Sequence, residues 1–363
     1  IIYLVTCPST VMPLDSAEMT LRAHAFGVMH PPGYPLQTAY NATLVRALSF
    51  LRPLTAVTIG NILLALVTMT GAGLLAQRLA GGKGLILALS LALTPLFWSY
   101  ATMPEVFIGL QLFAIGFCWL LFFPQHYRHP GFIFFLAMSM LHHHTIVFLS
   151  PWVLRAAWMN RSERKAHILM VGAGLLSLGG YGALMLFNPE DILSWGFVTD
   201  WAAVINHFLR KEYGTFALAT AVNGPPWIDR VVFAFTVLGE NAFLPLLLLA
   251  CSLLQRKPNW SSTQKILGYT IVVYVFTFTL SGTVPFSLAG MEVYRRFFLL
   301  PVVLLYVLSF SLVGQFVDRN WRVILCLTVC SYVTGGLQIV RTSTSGMREI
   351  SEQYHRDLLS TLP

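Results

Sequence analysis

Charge is the scarcest thing in this sequence. Only 10% of its 363 residues are Asp, Glu, Lys or Arg, against roughly a quarter in an ordinary soluble domain. A chain so poor in charge cannot cover a water-facing surface of its own. Cysteine is scarce as well: Cys7, Cys118, Cys251, Cys326 and Cys330 all lie in or beside apolar segments. They read as small packing residues, which excludes a disulfide framework or a zinc site. The net charge is +8, yet there is no run of five basic residues and no basic patch interleaved with aromatics, so nucleic acid is excluded as a partner. A Gly-rich fingerprint for a nucleotide cofactor is absent, as is the pair of matching broken helices expected of a repeat-built transporter.

Apolar length fills the space that charge leaves. Hydrophobic residues make up 56% of the chain, and the mean hydropathy is +0.68. A helix needs about 18–20 apolar residues to cross ~30 Å of hydrocarbon. Segments of that kind run over 56–77, 84–100, 104–123, 168–187, 231–254, 266–283, 297–316 and 322–340. The apolar start at Ile1 reads as the tail of a first membrane helix. The remaining stretch, 132–158, is too long for one upright span and is broken by His142-His143-His144-Thr145. It is either one tilted helix or two half-helices turning at the histidines.

Loop charge chooses between them. As a hairpin, twelve Lys and Arg residues fall on the side of Arg78 and eleven on the other; as a single span, the counts become eleven and twelve. Positive loops face the cytoplasm, so the hairpin is favoured. The expectation is an all-α polytopic membrane protein of eleven segments. Residues 8–55, 101–105, the histidine tip, 188–230 and 284–296 then gather outside. The membrane unit covers 1–340, with a short extracytoplasmic tail over 341–363.

The densest polar segment follows the first span: Asp15-Ser16-Ala17-Glu18, then His24, then His30-Pro31-Pro32-Gly33-Tyr34-Pro35. Asp15 or Ser16 with Glu18 can form a capping box at a helix start. The same i, i+3 spacing puts both carboxylates on one helical face, where they can share a proton, bind a hydroxyl or act as base. The prolines and Gly33 build a rigid elbow that would hold His30 and Tyr34 in fixed places.

These residues resemble a known family. DSxE followed by HPPGYPL is similar to the transmembrane O-mannosyltransferases of the plexin-modifying type and their bacterial relatives, in the GT-C superfamily of membrane glycosyltransferases. Thr94–Tyr100 with Pro104-Glu105-Val106-Phe107 resembles that family's second outer loop. Leu141–Thr145 resembles its short-helix hairpin, and Ser194-Trp195-Gly196 with Asn206–Phe216 its large outer loop. Leu14 and Ala17 stand where the family has glycine, which changes backbone freedom but keeps both carboxylates.

The resemblance implies a GT-C fold and an inverting transfer of a sugar, mannose in characterised relatives, from a polyprenyl-phosphate carrier to a Ser or Thr hydroxyl. The partners would be the lipid-linked sugar donor, a secreted or membrane protein acceptor, and the bilayer, with no cofactor and no metal. Asp15 would be the general base, with Glu18 beside it. Arg295, Arg296, Arg210, Lys211 and Arg22 are the candidate cations for the leaving phosphate. His30, Tyr34, Glu105, His207, Glu212 and Tyr213 would contact substrate.

His142, His143 and His144 cannot all meet one ion from a helix, since consecutive residues point about 100° apart. A turn could bring two of them to one metal, but they read foremost as hydrogen-bonding groups for the sugar donor or the acceptor, or else as structural groups. Glu240 sits inside an apolar span, where a carboxylate is costly; it either lines the donor groove or pairs with an arginine. Trp195, Trp201, Trp227 and Phe208 read as interfacial belt residues, with acceptor contact as the alternative. The membrane would be a bacterial inner membrane with the site facing outward, or the endoplasmic reticulum if the source is eukaryotic. The rivals are a sugar transferase acting on a glycolipid and a lipid or polysaccharide transporter without catalysis.

Overall fold

The computed structural model describes residues 1–8, 15–187, 194–215, 224–254, 260–282, 284 and 286–313, with eight further residues between 326 and 337. The tail expected over 341–363, most of the span over 322–340, and the loop stretches 9–14, 188–193 and 216–223 lie outside the described residues. Among the described residues every regular element is a helix.

The chain runs α1 (Ile2–Thr6), α2 (Asp15–Ala25), α3 (Pro35–Ala47), α4 (Pro53–Ala80), α5 (Gly82–Ala92), α6 (Pro95–Thr102) and α7 (Phe107–Phe122). It continues with α8 (Pro130–His142), α9 (Ser150–Met159), α10 (Arg164–Gly179), α11 (Trp201–Phe208), α12 (Trp227–Leu253), α13 (Ser262–Leu280), α14 (Leu288–Phe297) and α15 (Leu299–Val313). By length and composition five of these stretches can cross a membrane: Pro53–Ala80, Arg164–Leu186, Trp227–Leu253, Ser262–Leu280 and Gly290–Leu312. Counting the pair α5 and α6 as one span, bent by 61°, makes six.

The expected eleven included a truncated first span and two half-helices, all shorter than a full crossing, and a span over 322–340 that lies mostly outside the described residues. This count therefore neither reaches nor excludes eleven. Two of the expected runs are also broken or shortened locally. Pro95 opens a new helix behind the Thr94 cap and breaks the run over 84–100. The run over 104–123 yields only 16 helical residues in α7, about 24 Å at ~1.5 Å per residue.

The stretch over 132–158 is the expected hairpin. α8 ends at His142, a 3₁₀ turn occupies His144–Leu149, and α9 carries the chain back. Its return is pinned at Asn160, whose side chain donates to Pro124 O at 2.9 Å and accepts from Arg128 Nε at 2.9 Å. Both ends of the hairpin thus meet at one level, and the histidines form the tip.

Burial orders the bundle. The span Gly290–Leu312 is 89% buried and Arg164–Leu186 only 17%, so α15 is the central post and α10 the periphery. α15 packs on α4, α5, α7, α12 and α13. Rows of Leu, Val and Phe on α4, α10, α12 and α13 are exposed, a surface suited to lipid and costly in water. Pro245 inside α12 leaves Ala242 in a non-helical conformation, as a mid-helix proline does. Asn241 uses that kink to accept from Leu96 N at 2.8 Å, an otherwise orphaned amide in the first turn of α6.

Candidate active site

Residues 28–34 are the hub. The amide of Val28 donates to Ser194 Oγ at 3.0 Å, and Trp195 N donates back to Val28 O at 2.9 Å. His207 Nε2 donates to Met29 O at 2.8 Å. The loop over 194–215 is thereby clasped onto the elbow, and Val28, Leu141, Tyr181, Leu184 and Val204 form a small core between them. Gly33 N closes a turn on His30 O at 2.8 Å. Gly33 itself has φ +93, and a Cβ there would lie 2.9 Å from Leu184, so only glycine fits. Pro35 then starts α3 directly behind Tyr34.

Glu18 does not form a capping box. Its Oε1 accepts from the His30 amide at 2.7 Å, and its Oε2 lies 2.6 Å from His30 Nδ1. The neighbouring Arg22 Nε is 3.8 Å from Glu18. Asp15, at the first turn of α2, turns to α14 instead: its Oδ2 accepts from Arg296 Nη1 at 2.5 Å and lies 3.7 Å from His30 Nε2. Arg296 Nη1 is also 3.7 Å from Glu105 Oε1. The guanidinium rests over the rings of Phe107 and Phe297, at 5.2 and 5.8 Å, and its buried Nε has no hydrogen-bond partner among the described residues.

These contacts set the protonation states. Burial pushes Asp15 up, but the Arg296, His30 and Arg210 charges outweigh it and hold the carboxyl below its ordinary value. Burial disfavours a charged His30, yet Asp15 and Glu18 prevail and its value is raised. Glu105 goes the other way: burial and the nearby Asp15 push it to about 8, against the pull of Arg296. Burial also raises the Tyr34 hydroxyl and lowers His207. At neutral pH the site pairs an ionised Asp15 with a protonated Glu105 across one guanidinium.

Next to this cluster lies a cavity of about 400 Å³ whose wall mixes polar and apolar side chains. His30, Tyr34, Arg210 and Arg296 are among its polar lining residues, and Val147, Phe148, Phe278 and Phe297 among its apolar ones. Asp15 is not among its lining residues, but touches two that are.

The other expected residues divide. His143 stacks on Tyr34 (5.5 Å) and packs on Phe107 (5.0 Å), facing the cavity. His144 also lines it while bonding Tyr181 OH at 3.0 Å, whereas His142 turns back to donate to Val106 O at 2.8 Å. Arg210 lies over the Tyr213 ring at 5.2 Å. Glu212 accepts from Trp195 Nε1 at 2.6 Å, and Lys211 is exposed. Glu240 takes the second of its two expected roles: it pairs with Arg295, which also meets Glu292 at 3.5 Å. Neither Glu240 nor Arg295 lines the cavity.

Two of the expected belt residues lie beside the site. Trp195 stands edge-on to His30 at 6.0 Å, and Phe208 packs on His144 at 4.6 Å while lining the cavity. Asn61 was not singled out by the sequence. Buried in α4, it donates to Met103 O and Glu105 O at 2.5 and 2.9 Å and so fixes the Glu105 loop. A polar residue inside an apolar span was the available signal.

No protein-family model matches the chain. It is similar to the protein O-mannosyl-transferase TMEM260 of Mus musculus, at 28% identity over 61% of this chain and 34% of the relative. It is also similar to the protein O-mannosyl-transferase tmem260 of Dictyostelium discoideum, at 25% identity over 89% of this chain and 44% of the relative. The chain thus spans less than half the length of these curated relatives. Among solved structures it matches ArnT from Cupriavidus metallidurans bound to undecaprenyl phosphate, with a TM-score of 0.57 and 14% identity over 95% of this chain and 73% of that one. The apo form of the same protein gives a TM-score of 0.58. The resemblance read from the motifs is borne out by these relatives, and the expected all-α membrane fold is one that the chain shares with ArnT.

Proposed function

We propose that this chain is a membrane glycosyltransferase that moves a sugar, mannose by analogy with its relatives, from a polyprenyl-phosphate donor to a Ser or Thr hydroxyl of a protein. One observation carries the reading: the Asp15–Arg296 contact sits against a cavity whose wall combines two arginines and a histidine with aromatic and aliphatic side chains. That mixture suits a phosphate with a prenyl tail. Arg296, buried and with an unused Nε–H, gains a strong partner in a phosphate oxygen. The tail runs toward Val147, Phe148 and Phe278.

The acceptor oxygen attacks the anomeric carbon from the face opposite the phosphate. The new carbon–oxygen bond forms as the bond to phosphate breaks. Its electron pair leaves with the phosphate, and the hydroxyl proton passes to Asp15. Asp15 is ionised beforehand because of its cationic neighbours. As Arg296 turns toward the growing charge on the phosphate, Asp15 loses a partner and becomes a better base. On this reading the site faces outward, where nucleotide sugars are not available and a lipid carrier is needed.

The test is transfer by the purified protein from polyprenyl-phosphate-mannose to Ser/Thr peptides, read by mass. Asp15→Asn keeps an acceptor for Arg296 and is expected to lose about 10²–10⁴-fold in rate with normal expression. Unchanged transfer would remove Asp15 as the base. Sugar recovered only on lipid would favour the glycolipid transferase, and donor movement without transfer the transporter.

A further inference from the structure

The Glu18–His30 pair is built more tightly than a spare ion pair needs to be. Both Glu18 oxygens are committed to residue 30, one to its amide and one to its ring. The main chain and the imidazole are therefore fixed together. With Nδ1–H held by Glu18, Nε2 is left at the far end of the ring, 3.3 Å from Tyr34 OH and 3.7 Å from Asp15 Oδ2. The ring lines the same cavity as Arg210 and Arg296.

We infer that Glu18 is a positioning residue and that His30, held by it as an imidazolium, is a third cation facing the phosphate of the lipid-linked donor. The inference rests on the donor reading above. It reassigns Glu18, which does not share a proton with Asp15 but serves the ring that reaches the cavity.

The surroundings favour the charged ring. From α2, Asp15 and Glu18 face it; from the start of α3, Tyr34 faces it with a neutral hydroxyl. From α14 comes Arg296, which opposes the charge less than the two carboxylates favour it. From the 194–215 segment come Trp195, edge-on and uncharged, and His207, which burial keeps neutral. Arg210 shares the cavity wall. The donor gains negative charge at its phosphate as the sugar leaves, so a fixed N–H there is worth most in the transition state. His30 keeps its proton throughout, so no proton needs to be resupplied to it.

The sign of the pH dependence follows. The value of His30 is raised, so its charge is present at low pH and lost as pH rises through that value. The experiment measures binding of a polyprenyl monophosphate to the full chain in nanodiscs across pH, for wild type, His30→Gln, His30→Lys and Glu18→Gln. The phosphate titrates as well, so each curve is divided by that of His30→Gln.

Wild type is expected to bind about tenfold or more tightly than His30→Gln at low pH, with the advantage vanishing at high pH. His30→Lys should keep the advantage across that range. Glu18→Gln should lose it at a pH lower by about one unit. Should His30→Gln fail to fold, as judged by its melting profile, Glu18→Gln and His30→Lys are compared directly and the same displacement decides. A constant ratio at all pH, or no displacement in Glu18→Gln, overturns the inference and leaves the donor reading standing. A wild-type protein that binds no polyprenyl phosphate at any pH overturns both.

Discussion

Arg296 stands between two carboxylates that differ in what else surrounds them. Asp15 has His30 and Arg210 within electrostatic reach and stays ionised. Glu105 is fully buried before α7, is repelled by Asp15, and titrates near 8. The folded protein therefore holds a proton that the unfolded chain releases near the ordinary value of 4.5. Stability from this group is complete below about pH 4.5 and is lost as pH rises through about 8. The total is on the order of 5 kcal/mol, at one pH unit per 1.36 kcal/mol. Glu105→Gln mimics the protonated carboxyl and cannot ionise. Melting of wild type and variant in detergent should coincide at low pH and separate in favour of Glu105→Gln as pH rises from about 4.5 to about 8. Parallel curves would show that Glu105 is already ionised at neutral pH.

At the level of elements, the histidine hairpin shows what the sequence could and could not say. A 27-residue apolar stretch with three histidines in its middle, read against the loop charges, was enough to expect two half-helices. The roles of the histidines were not legible, because a 3₁₀ turn after His143 sends the three rings to three different neighbours. The elbow at His30–Pro35 was legible from its prolines and glycine. The partner of Glu18 was not, since spacing within α2 fits a capping box equally well and His30 is twelve residues away.

The hairpin is seated on α7 at Gly109. A Cβ there would lie 2.4 Å from His142 Cε1 and 2.6 Å from Nε2. His142 cannot withdraw without giving up its bond to Val106 O. Gly109→Ala should therefore destabilise the protein by about 1–3 kcal/mol and move His143 out of its stack on Tyr34, lowering transfer. Gly172→Ala in α10, where nothing lies within 4 Å, should be neutral or slightly stabilising. Equal melting temperatures for the two variants would mean that the seat at Gly109 does not constrain the hairpin.

At the scale of the whole molecule, helix α13 borders two cavities of similar size and different chemistry. Near its end, Thr277 and Phe278 face the cavity that carries Arg210 and Arg296. Near its start, Lys265 and Tyr269 line a second space of about 440 Å³ with Leu249, Leu253, Trp260 and Leu305. Lys265 and Phe278 are thirteen positions apart, roughly 20 Å along a helix. Volume and apolar wall alone would let either space hold a prenyl chain. The difference is the head: of these two, the first has two arginines and His30 in its wall, next to the carboxylate that would receive the proton. A donor held by its phosphate should therefore occupy the first space. A polyprenyl phosphate carrying a photoreactive group in its first isoprene units should label the Val147–Phe148 and Thr277–Phe278 segments. An excess of unlabelled polyprenyl phosphate should suppress that labelling, and Arg296→Ala should reduce it. Any labelling around Lys265 and Tyr269 should resist both treatments, because an apolar groove takes up a prenyl chain without reading its head. Competed labelling at Lys265 instead would move the donor site to the opposite end of α13 and separate it from Asp15.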